Sequence, residues 1–276
     1  MTSDQSPALS FYDIAFRPPV ESTAAAPNPW KARYALNFKG IPYKTQWIQM
    51  PHIAKVRKEI GAAPSRKFAD GSDYYTLPVL TDSTTNSILG DSFDIAIYLQ
   101  KQYPNSGAGD LLPPQKLDFT YKHDAPFLVP LSEREEGEFG EYVRFNTSVD
   151  TVFTAHVMLM GTGMQFDPAY AEEIGAMFAE RAGAKSSEPF VFGEEDRAKM
   201  MTSFREALAD LAKLLDRESG PFILGQRASY ADCIVGGWLK MMHMTLPIHE
   251  WEEAMGWYGG VFDRLYQGLQ QFAEVK

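Results

Sequence analysis

The sequence predicts a two-domain chain, with an α/β domain first and an all-α bundle of helices after it. The length of 276 residues is more than one small domain needs and is ample to bury two cores. Strand-like and helix-like segments alternate up to about residue 103, whereas nearly every later segment has helical periodicity. A cluster of Pro, Asn, Ser and Gly at 104–110 separates the two regions. We therefore expect domains at 1–106 and 107–276.

The first part of the α/β domain has the pattern of a strand, a helix and a second strand. These elements are predicted at 9–16, 29–38 and 42–49. Asn28 is expected to cap the helix, because a proline follows it at a plausible first helical position, and Gly40 is a stop signal. The order indicates two parallel strands joined by a crossover helix.

One stretch of the α/β domain carries the most specific pattern in the chain. Residues 74–82 are rich in aromatic and β-branched residues and predict a strand, although Pro78 must lie at its entrance or edge, where a cis bond is an option. A polar turn and a short strand from Ile88 complete a hairpin, and Asp91 and Ser92 then begin a helix. The full order, β-α-β-(α)-β-β-α, is the thioredoxin-like arrangement with a mixed four-stranded sheet.

The second half of the chain predicts helices punctuated by glycine and proline. Long, partly amphipathic stretches occur at 137–160, 168–184 and 194–218. Ser229 and Asp232, three residues apart before an apolar run, form a pattern like a capping box. We assign this pair to folding rather than to catalysis.

Composition narrows the class of protein. With 36 acidic and 26 basic residues the formal charge is −10, which disfavours a nucleic acid or an anionic membrane as partner. A single cysteine, Cys233, excludes an intrachain disulfide and a thiolate metal cluster, so no metal is expected. Residues 1–9 lack a signal-peptide pattern and no run of eighteen apolar residues occurs, so a cytoplasmic protein is expected.

Asp91 and Ser92 allow two interpretations. The first is an N-cap, whose side-chain oxygens accept hydrogen bonds from free backbone N–H groups. The second is a ligand site, because a helix N-terminus attracts a carboxylate while the Asp91 side chain holds an amine. A γ-glutamyl group carries both of these charges. The residues alone leave both interpretations open.

The Thr-Leu-Pro-Val sequence at 76–79, followed by Asp91 and Ser92, resembles the second half of the thioredoxin-like domain of glutathione transferases. This resemblance implies the glutathione transferase fold, with glutathione as cosubstrate. It implies that the backbone of Leu77 pairs with the cysteinyl part of glutathione and that Pro78 is cis. It also implies that Asp91 and Ser92 bind the γ-glutamyl end. The Ser229 and Asp232 pattern is similar to the N-capping motif of the same family's C-terminal domain.

The sequence at 27–43 is similar to that of the fungal etherase-related (FuA) class, whose relatives include bacterial β-etherases. The family stabilises a thiolate with a Tyr, Ser or Cys side chain, but Ala26 lies at the usual Ser or Cys position, so thiol-disulfide reductase activity is not expected. The nearest hydroxyls are those of Ser22 and Thr23. Asn28, or free backbone N–H groups of the first helical turn, are the other candidate donors.

Four further side chains carry weaker predictions. Lys67 is a candidate for the glycine carboxylate of glutathione, although a solvated lysine is the simpler interpretation. His52 has no partner at metal-ligand spacing and is expected in a loop. Tyr12 and Cys233 are expected to be packing residues.

The second substrate is expected to be a hydrophobic aromatic molecule. Soft and aromatic residues concentrate at 153–164 and 238–257, either as core or as the wall of an apolar site, with His156 and His243 as nearby hydrogen-bonding groups. The expected reactions are conjugation, peroxide reduction or aryl-ether cleavage, together with binding of polyphenols. A non-catalytic carrier of aromatic compounds is the alternative, because Ala26 supplies no donor. The family resemblance implies a homodimer.

Overall fold

The computed structural model describes residues 7–125, 127, 129–132, 134, 137–181 and 193–276. The strands are β1 (Leu9–Ala15), β2 (Tyr43–Gln49), β3 (Arg66–Lys67), β4 (Asp73–Tyr74), β5 (Val79–Asp82) and β6 (Ser87–Leu89). The helices of the first domain are α1 (Val20–Thr23), α2 (Pro27–Phe38), α3 (Ile53–Glu59) and α4 (Ser92–Gln102). Those that follow are α5 (Gly140–Ala155), α6 (Met158–Gly161), α7 (Ala171–Arg181), α8 (Glu194–Ala207), α9 (Ala209–Leu215), α10 (Tyr230–Thr245), α11 (Ile248–Gly256) and α12 (Val261–Leu269).

The main sheet is mixed and has the strand order β2-β1-β5-β6. Strands β1 and β2 are parallel, whereas β1 with β5 and β5 with β6 are antiparallel. Alternate residues of β1 face opposite sides, as a strand requires, with Leu9 and Phe11 in the main core and Ile14 in a smaller apolar cluster. The predicted thioredoxin-like sheet, followed by an all-helical region, is therefore confirmed.

Two predicted boundaries in the first domain are wrong. The single strand expected at 74–82 is two strands, because β4 pairs with β3 in a separate sheet and β5 begins only at Val79. Pro78 has no N–H for a ladder, and its bond to Leu77 is cis as expected. Helix α2 begins at Pro27 with Ala26 as its N-cap, so Asn28 lies inside the first turn and is not the cap. Either proline suits a first helical position, which made the start ambiguous.

The long helical stretches of the second region are each interrupted. The first ends at Ala155 and resumes as α6, and the last is divided at Leu208 into α8 and α9. The middle one starts as a 3-10 turn and continues as α7 to Arg181, and its expected end at 184 lies outside the described residues. The boundary predicted between 106 and 107 falls in the turns after α4 and stays a prediction. No helix among the described ranges is long and apolar enough to cross a bilayer.

The capping box before α10 is present as predicted. The Asp232 carboxylate accepts hydrogen bonds from the Ser229 N–H at 2.7 Å and from the Ile223 N–H at 2.9 Å. Burial raises the pKa of Asp232 to about 6, although these hydrogen bonds act in the opposite direction. The box therefore fixes the start of the helix that packs against the first domain.

The two regions meet where α2 packs along α10. A Cβ on Gly237 would lie 2.5 Å from the Pro27 carbonyl oxygen, so glycine is what allows this close approach. Lys31 is fully buried at the same contact and forms an ion pair with Asp150 of α5. The indole N–H of Trp238 donates to the same carboxylate at 2.7 Å. This buried network fixes the start of α2 relative to the helical region.

Candidate functional site

The candidate site is formed by the end of β1, the start of α2, the residues before β5 and the start of α4. Ala26 and Leu77 lie in one apolar cluster with Ile14, Phe16 and Ile53, which we call the site cluster. Both are nearly inaccessible, Ala26 at 6% and Leu77 at 2% of full exposure. The structure therefore brings together two positions that are about fifty residues apart in sequence.

Leu77 has an unused backbone donor. Its N–H has no acceptor among the residues that the structure describes, and its carbonyl accepts only a 3.4 Å contact from the Thr76 hydroxyl. Buried backbone N–H groups are nearly always paired in native proteins. An unpaired one beside Pro78 is therefore an observation that points to a ligand.

Asp91 is the N-cap of α4 and is also an ion-pair partner. Its carboxylate accepts the Phe93 N–H at 2.8 Å and the Arg134 guanidinium at 3.1 Å, and Ser132 donates to it at 3.3 Å. Burial alone would raise the pKa of Asp91, but Arg134 and the Phe93 N–H outweigh it and keep the pKa below its ordinary value. Both interpretations of Asp91 thus have support, because it caps the helix and remains a charged acceptor beside buried Ser92.

Arg57 on α3 connects the two halves of the site. Its guanidinium donates to the Thr76 carbonyl, to the Gly90 carbonyl at 3.2 Å and to the Ala63 carbonyl at 2.5 Å. It also donates to the Ser65 hydroxyl at 2.7 Å, which accepts in turn from the Thr76 N–H at 3.1 Å. Arg57 is only 1% exposed. The residue before Leu77 and the residue before Asp91 are therefore held by one buried side chain.

The start of α2 lacks a hydroxyl. The Ser22 hydroxyl donates to the Pro19 carbonyl at 2.9 Å, and the Thr23 hydroxyl donates to the Arg17 carbonyl at 2.5 Å. Each hydroxyl hydrogen therefore has an acceptor inside its own loop. By contrast, the backbone N–H groups of Ala25, Ala26 and Asn28 have no acceptor among the described residues. These amides stand at the positive end of the helix dipole.

The other residues singled out from sequence lie in ordinary surroundings. The Lys67 ammonium is exposed and pairs with Asp73 at 2.8 Å, and this hydrogen bond raises the pKa of Lys67. His52 is exposed and contacts the ring of Tyr170, and in the described part of the chain no three metal-ligating side chains cluster. Cys233 is fully buried, and burial raises the pKa of its thiol.

Few residues of the two methionine-rich stretches reach the site. Met164 and Met244 pack against the site cluster. Phe166, two residues after the first stretch, does so as well, and its ring stacks on Phe16 with centroids 5.7 Å apart. The buried methionines and tryptophans of these stretches belong to the helical core, namely Met160, Met241, Met242, Met255, Trp238, Trp251 and Trp257. One wall of the site is therefore apolar and aromatic.

Neither of the two histidines packs against the site cluster. His156 is buried between the Val152 carbonyl and the Ser203 hydroxyl, and burial lowers the pKa of its ring. His243 packs between the rings of Trp251 and Tyr266. Both are therefore placed to pack helices of the second region.

Sequence reasoning missed the charged residues that organise the site. Arg57 lies among other charged residues of α3, and this pattern is typical of a solvated helix face. Arg134 and Ser132 come from a segment without helical or strand periodicity. Phe16 gave a usable signal, because it is the last residue of the first predicted strand, at the level where the site was expected.

Family comparisons agree with this architecture. Residues 25–102 match the family model for the glutathione S-transferase N-terminal domain, and residues 145–272 match that for the C-terminal domain. Among curated proteins, the glutathione S-transferase-like protein ustS of Aspergillus flavus is 25% identical over 99% of this chain and 94% of its own length.

Solved structures extend the comparison to the whole chain. CsGST63524 of Ceriporiopsis subvermispora, solved in complex with glutathione, is 32% identical, with 98% of this chain and 99% of that chain covered and a TM-score of 0.79. Glutathione transferase GSTFuA3 of Phanerochaete chrysosporium is 26% identical, with 99% and 100% covered and a TM-score of 0.73. The resemblance to the FuA class that the sequence indicated is confirmed, and the chain belongs to the glutathione S-transferase family.

Proposed function

We propose that the protein is a glutathione transferase that binds glutathione across Leu77, Asp91 and Ser92 and uses its thiolate as a nucleophile. The single observation that carries this proposal is the unpaired Leu77 N–H. Arg57 bonds the carbonyls of Thr76 and Gly90, and so it connects the backbone before Leu77 to the charged start of α4. The relative CsGST63524 was solved with glutathione bound, which supports the same ligand here.

The γ-glutamyl end would lie at the N-terminus of α4. The Asp91 carboxylate suits the ammonium group, while the first-turn N–H groups and the Ser92 hydroxyl suit the carboxylate. Arg134 holds Asp91 and Asp94 with one nitrogen, Nη2, at 3.1 and 2.5 Å. The Nε and Nη1 atoms of Arg134 have no partner among the described residues, so they remain available to the γ-glutamyl carboxylate.

The thiolate would be stabilised at the start of α2. The free N–H groups of Ala25, Ala26 and Asn28, together with the helix dipole, favour the thiolate over the thiol and lower the thiol pKa. Ser22 and Thr23 stay candidate donors that must first leave their carbonyl acceptors. The thiolate then attacks the electrophile, forming a carbon–sulfur bond in conjugation while the leaving group departs with its electron pair.

The second substrate would be a hydrophobic aromatic electrophile. Phe16, Phe166, Met164 and Met244 offer stacking surface and adaptable sulfur contacts beside the site cluster. Polyphenols and aryl ethers fit such a wall, and conjugation, peroxide reduction and aryl-ether cleavage are the candidate reactions. Displacement of an apolar fluorescent dye by flavonoid-like compounds, but not by aliphatic molecules of equal size, is the expected result.

Retention on immobilised glutathione tests the binding proposal. Ser92→Ala should elute earlier than the parent protein, because a hydrogen bond to a charged group contributes roughly 1.5–3 kcal/mol. Ser83→Ala is the matched control, since the Ser83 hydroxyl is exposed and donates to the Ala8 carbonyl in a turn. Equal retention of Ser92→Ala and the parent would reject Ser92 as a ligand residue.

A carrier without catalytic activity is the second candidate, favoured by the absence of a hydroxyl at Ala26. Assays with an activated aryl halide, a peroxide and a glutathionyl ketone separate the two functions. Turnover that falls in Ser22→Ala, Thr23→Ala or Asn28→Ala supports the enzyme and identifies the donor. Glutathione binding without turnover of any electrophile supports the carrier.

We also propose a cytoplasmic homodimer, on the family resemblance and the single buried cysteine. Sedimentation at micromolar concentration should show a species of twice the 31.0 kDa chain mass. A species of the chain mass alone would reject the dimer.

A further inference from the structure

Tyr230 is a fully buried tyrosine whose hydroxyl has no hydrogen-bond partner among the described residues. It is the first residue of α10 and directly follows Ser229 of the capping box. Its backbone N–H donates to the Leu111 carbonyl at 2.7 Å. Buried hydroxyl groups are nearly always hydrogen-bonded in native proteins, so this unpaired phenol calls for an explanation.

The Tyr230 phenol faces the start of α4. Its ring packs edge-on against the Phe93 ring, with centroids 5.5 Å apart. Burial raises the pKa of Tyr230 well above its ordinary value and the Asp91 carboxylate raises it further, whereas the Ser92 hydroxyl acts in the opposite direction. The hydroxyls of Tyr230 and Ser92 are therefore neighbours, although no hydrogen bond of good geometry joins them. The helical region thus places a neutral O–H donor behind the first residue of α4.

The Ser92 hydroxyl is also free to take a new partner. It makes no hydrogen bond of good geometry with any residue in the described ranges. Ser92 keeps 4% of its full exposure, whereas Tyr230 keeps none. A serine hydroxyl donates one hydrogen bond and can accept two, and a protonated phenol can donate one of those two. Ser92 is therefore the residue that can reach a ligand, and Tyr230 can act on the ligand only through Ser92.

We infer that Tyr230 is a positioning residue that orients the Ser92 hydroxyl toward the γ-glutamyl carboxylate. This inference rests on the proposed function. When the Ser92 hydroxyl donates to the carboxylate, its oxygen accepts the Tyr230 O–H, and this bond holds the Ser92 hydrogen toward the ligand. Each hydrogen bond in such a chain polarises and strengthens the next one. The helical region therefore contributes to glutathione affinity without contacting glutathione.

The capping box fixes where the phenol lies. The Asp232 carboxylate accepts the Ser229 N–H at 2.7 Å and the Ser229 hydroxyl at 2.9 Å. The Gln115 amide donates to the same Ser229 hydroxyl at 3.0 Å. Because Tyr230 directly follows Ser229, these bonds also restrict the backbone of Tyr230. A folding motif thus sets the position of a group that acts at the ligand site.

Two ligands that differ in one carboxylate test this inference. They are glutathione and γ-aminobutyryl-cysteinylglycine, which lacks only the γ-glutamyl carboxylate. Tyr230→Phe should bind glutathione about fivefold more weakly than the parent protein, as expected for the loss of one hydrogen bond. It should bind the analogue with the affinity of the parent protein, and this unchanged binding also shows that the variant is folded.

A double-mutant cycle shows whether Tyr230 acts through Ser92. In the Ser92→Ala background, Tyr230→Phe should cause no further loss of glutathione affinity. Tyr34→Phe is the matched control, because Tyr34 is also fully buried with an unpaired hydroxyl but lies beside Tyr266 and Cys233. This control should bind glutathione as the parent protein does.

Three results would overturn the positioning role of Tyr230. They are unchanged glutathione affinity in Tyr230→Phe, an equal loss of affinity for both ligands, and a fivefold loss that persists in the Ser92→Ala background. If the parent protein prefers glutathione to the analogue, each of these results rejects this inference alone. A parent protein that binds both ligands equally, or binds neither, rejects the proposed function as well.

Discussion

Arg57 offers the sharpest test of how the site is held together. Replacing it with Met removes the donor that the carbonyls of Ala63, Thr76 and Gly90 share. The methionine fills much of the same volume but cannot hydrogen-bond to these oxygens. The perturbation therefore acts on the backbone before Leu77 and before Asp91 at the same time.

The expected loss of stability follows from the three carbonyls. Each buried acceptor that loses its partner lowers the free energy of unfolding by about 1–3 kcal/mol. With the lower value for each of the three carbonyls, Arg57→Met should lose about 3 kcal/mol. For a chain of this size that corresponds to a fall in Tm of about 6–12 °C. The Tm of Arg57→Lys should fall less, because an ammonium group can still reach some of the same acceptors.

Thermal unfolding and glutathione titration measure the two consequences separately. Gly90→Ala is an independent perturbation, because a Cβ there would lie 2.3 Å from Nη2 of Arg57 and displace the guanidinium without removing it. Both Arg57→Met and Gly90→Ala should weaken glutathione binding. Lys55→Met, on the same helix and exposed, is the control and should leave affinity unchanged. Unchanged Tm and affinity in Arg57→Met would refute this reasoning.

Three further predictions concern capping, charge and pH. Ala26→Ser should raise Tm by about 2–4 °C, since the new hydroxyl oxygen can accept a hydrogen bond from the Asn28 N–H as an N-cap. The same variant should conjugate faster if a hydroxyl donor is what the site lacks. An unchanged Tm and an unchanged conjugation rate would count against the two expectations. Lys31→Met should cost about 3–5 kcal/mol by leaving the buried Asp150 carboxylate without a counter-charge, and a double variant with Asp150→Asn should recover most of this loss in denaturant unfolding. Asp232 has a pKa of about 6 in the folded protein, above its ordinary 3.8, so its protonation stabilises the folded state at low pH. This contribution of about 3 kcal/mol to the free energy of unfolding should be lost as pH rises from 4 to 7. Asp232→Asn should not show this dependence of stability on pH.

Local signals made much of the fold predictable. The mixed sheet followed from the order of strand-like and helix-like segments, and the capping box at Ser229 followed from one spacing. Pro78 lies directly before β5, at a strand entrance as predicted, but a sequence run alone does not say that β4 joins a different sheet. The start of α2 was misplaced by two residues, because Pro27 and Pro29 are equally good first residues.

The charged parts of the site were not predictable from local pattern. Lys31 has the composition of a surface helix position, yet its buried partner Asp150 is 119 residues away. Arg57 and Arg134 likewise act through contacts that are distant in sequence or come from an irregular segment. Burial and partner choice at such positions are tertiary properties, so the sequence predicted which backbone would bind glutathione but not which side chains hold that backbone in place.

A crystal structure of the protein with glutathione tests the central claim most directly. We expect the Leu77 N–H to donate to the backbone of the cysteinyl residue at hydrogen-bond distance, with the γ-glutamyl ammonium at Asp91. Glutathione bound away from Leu77, with this N–H still unpaired, would contradict the account.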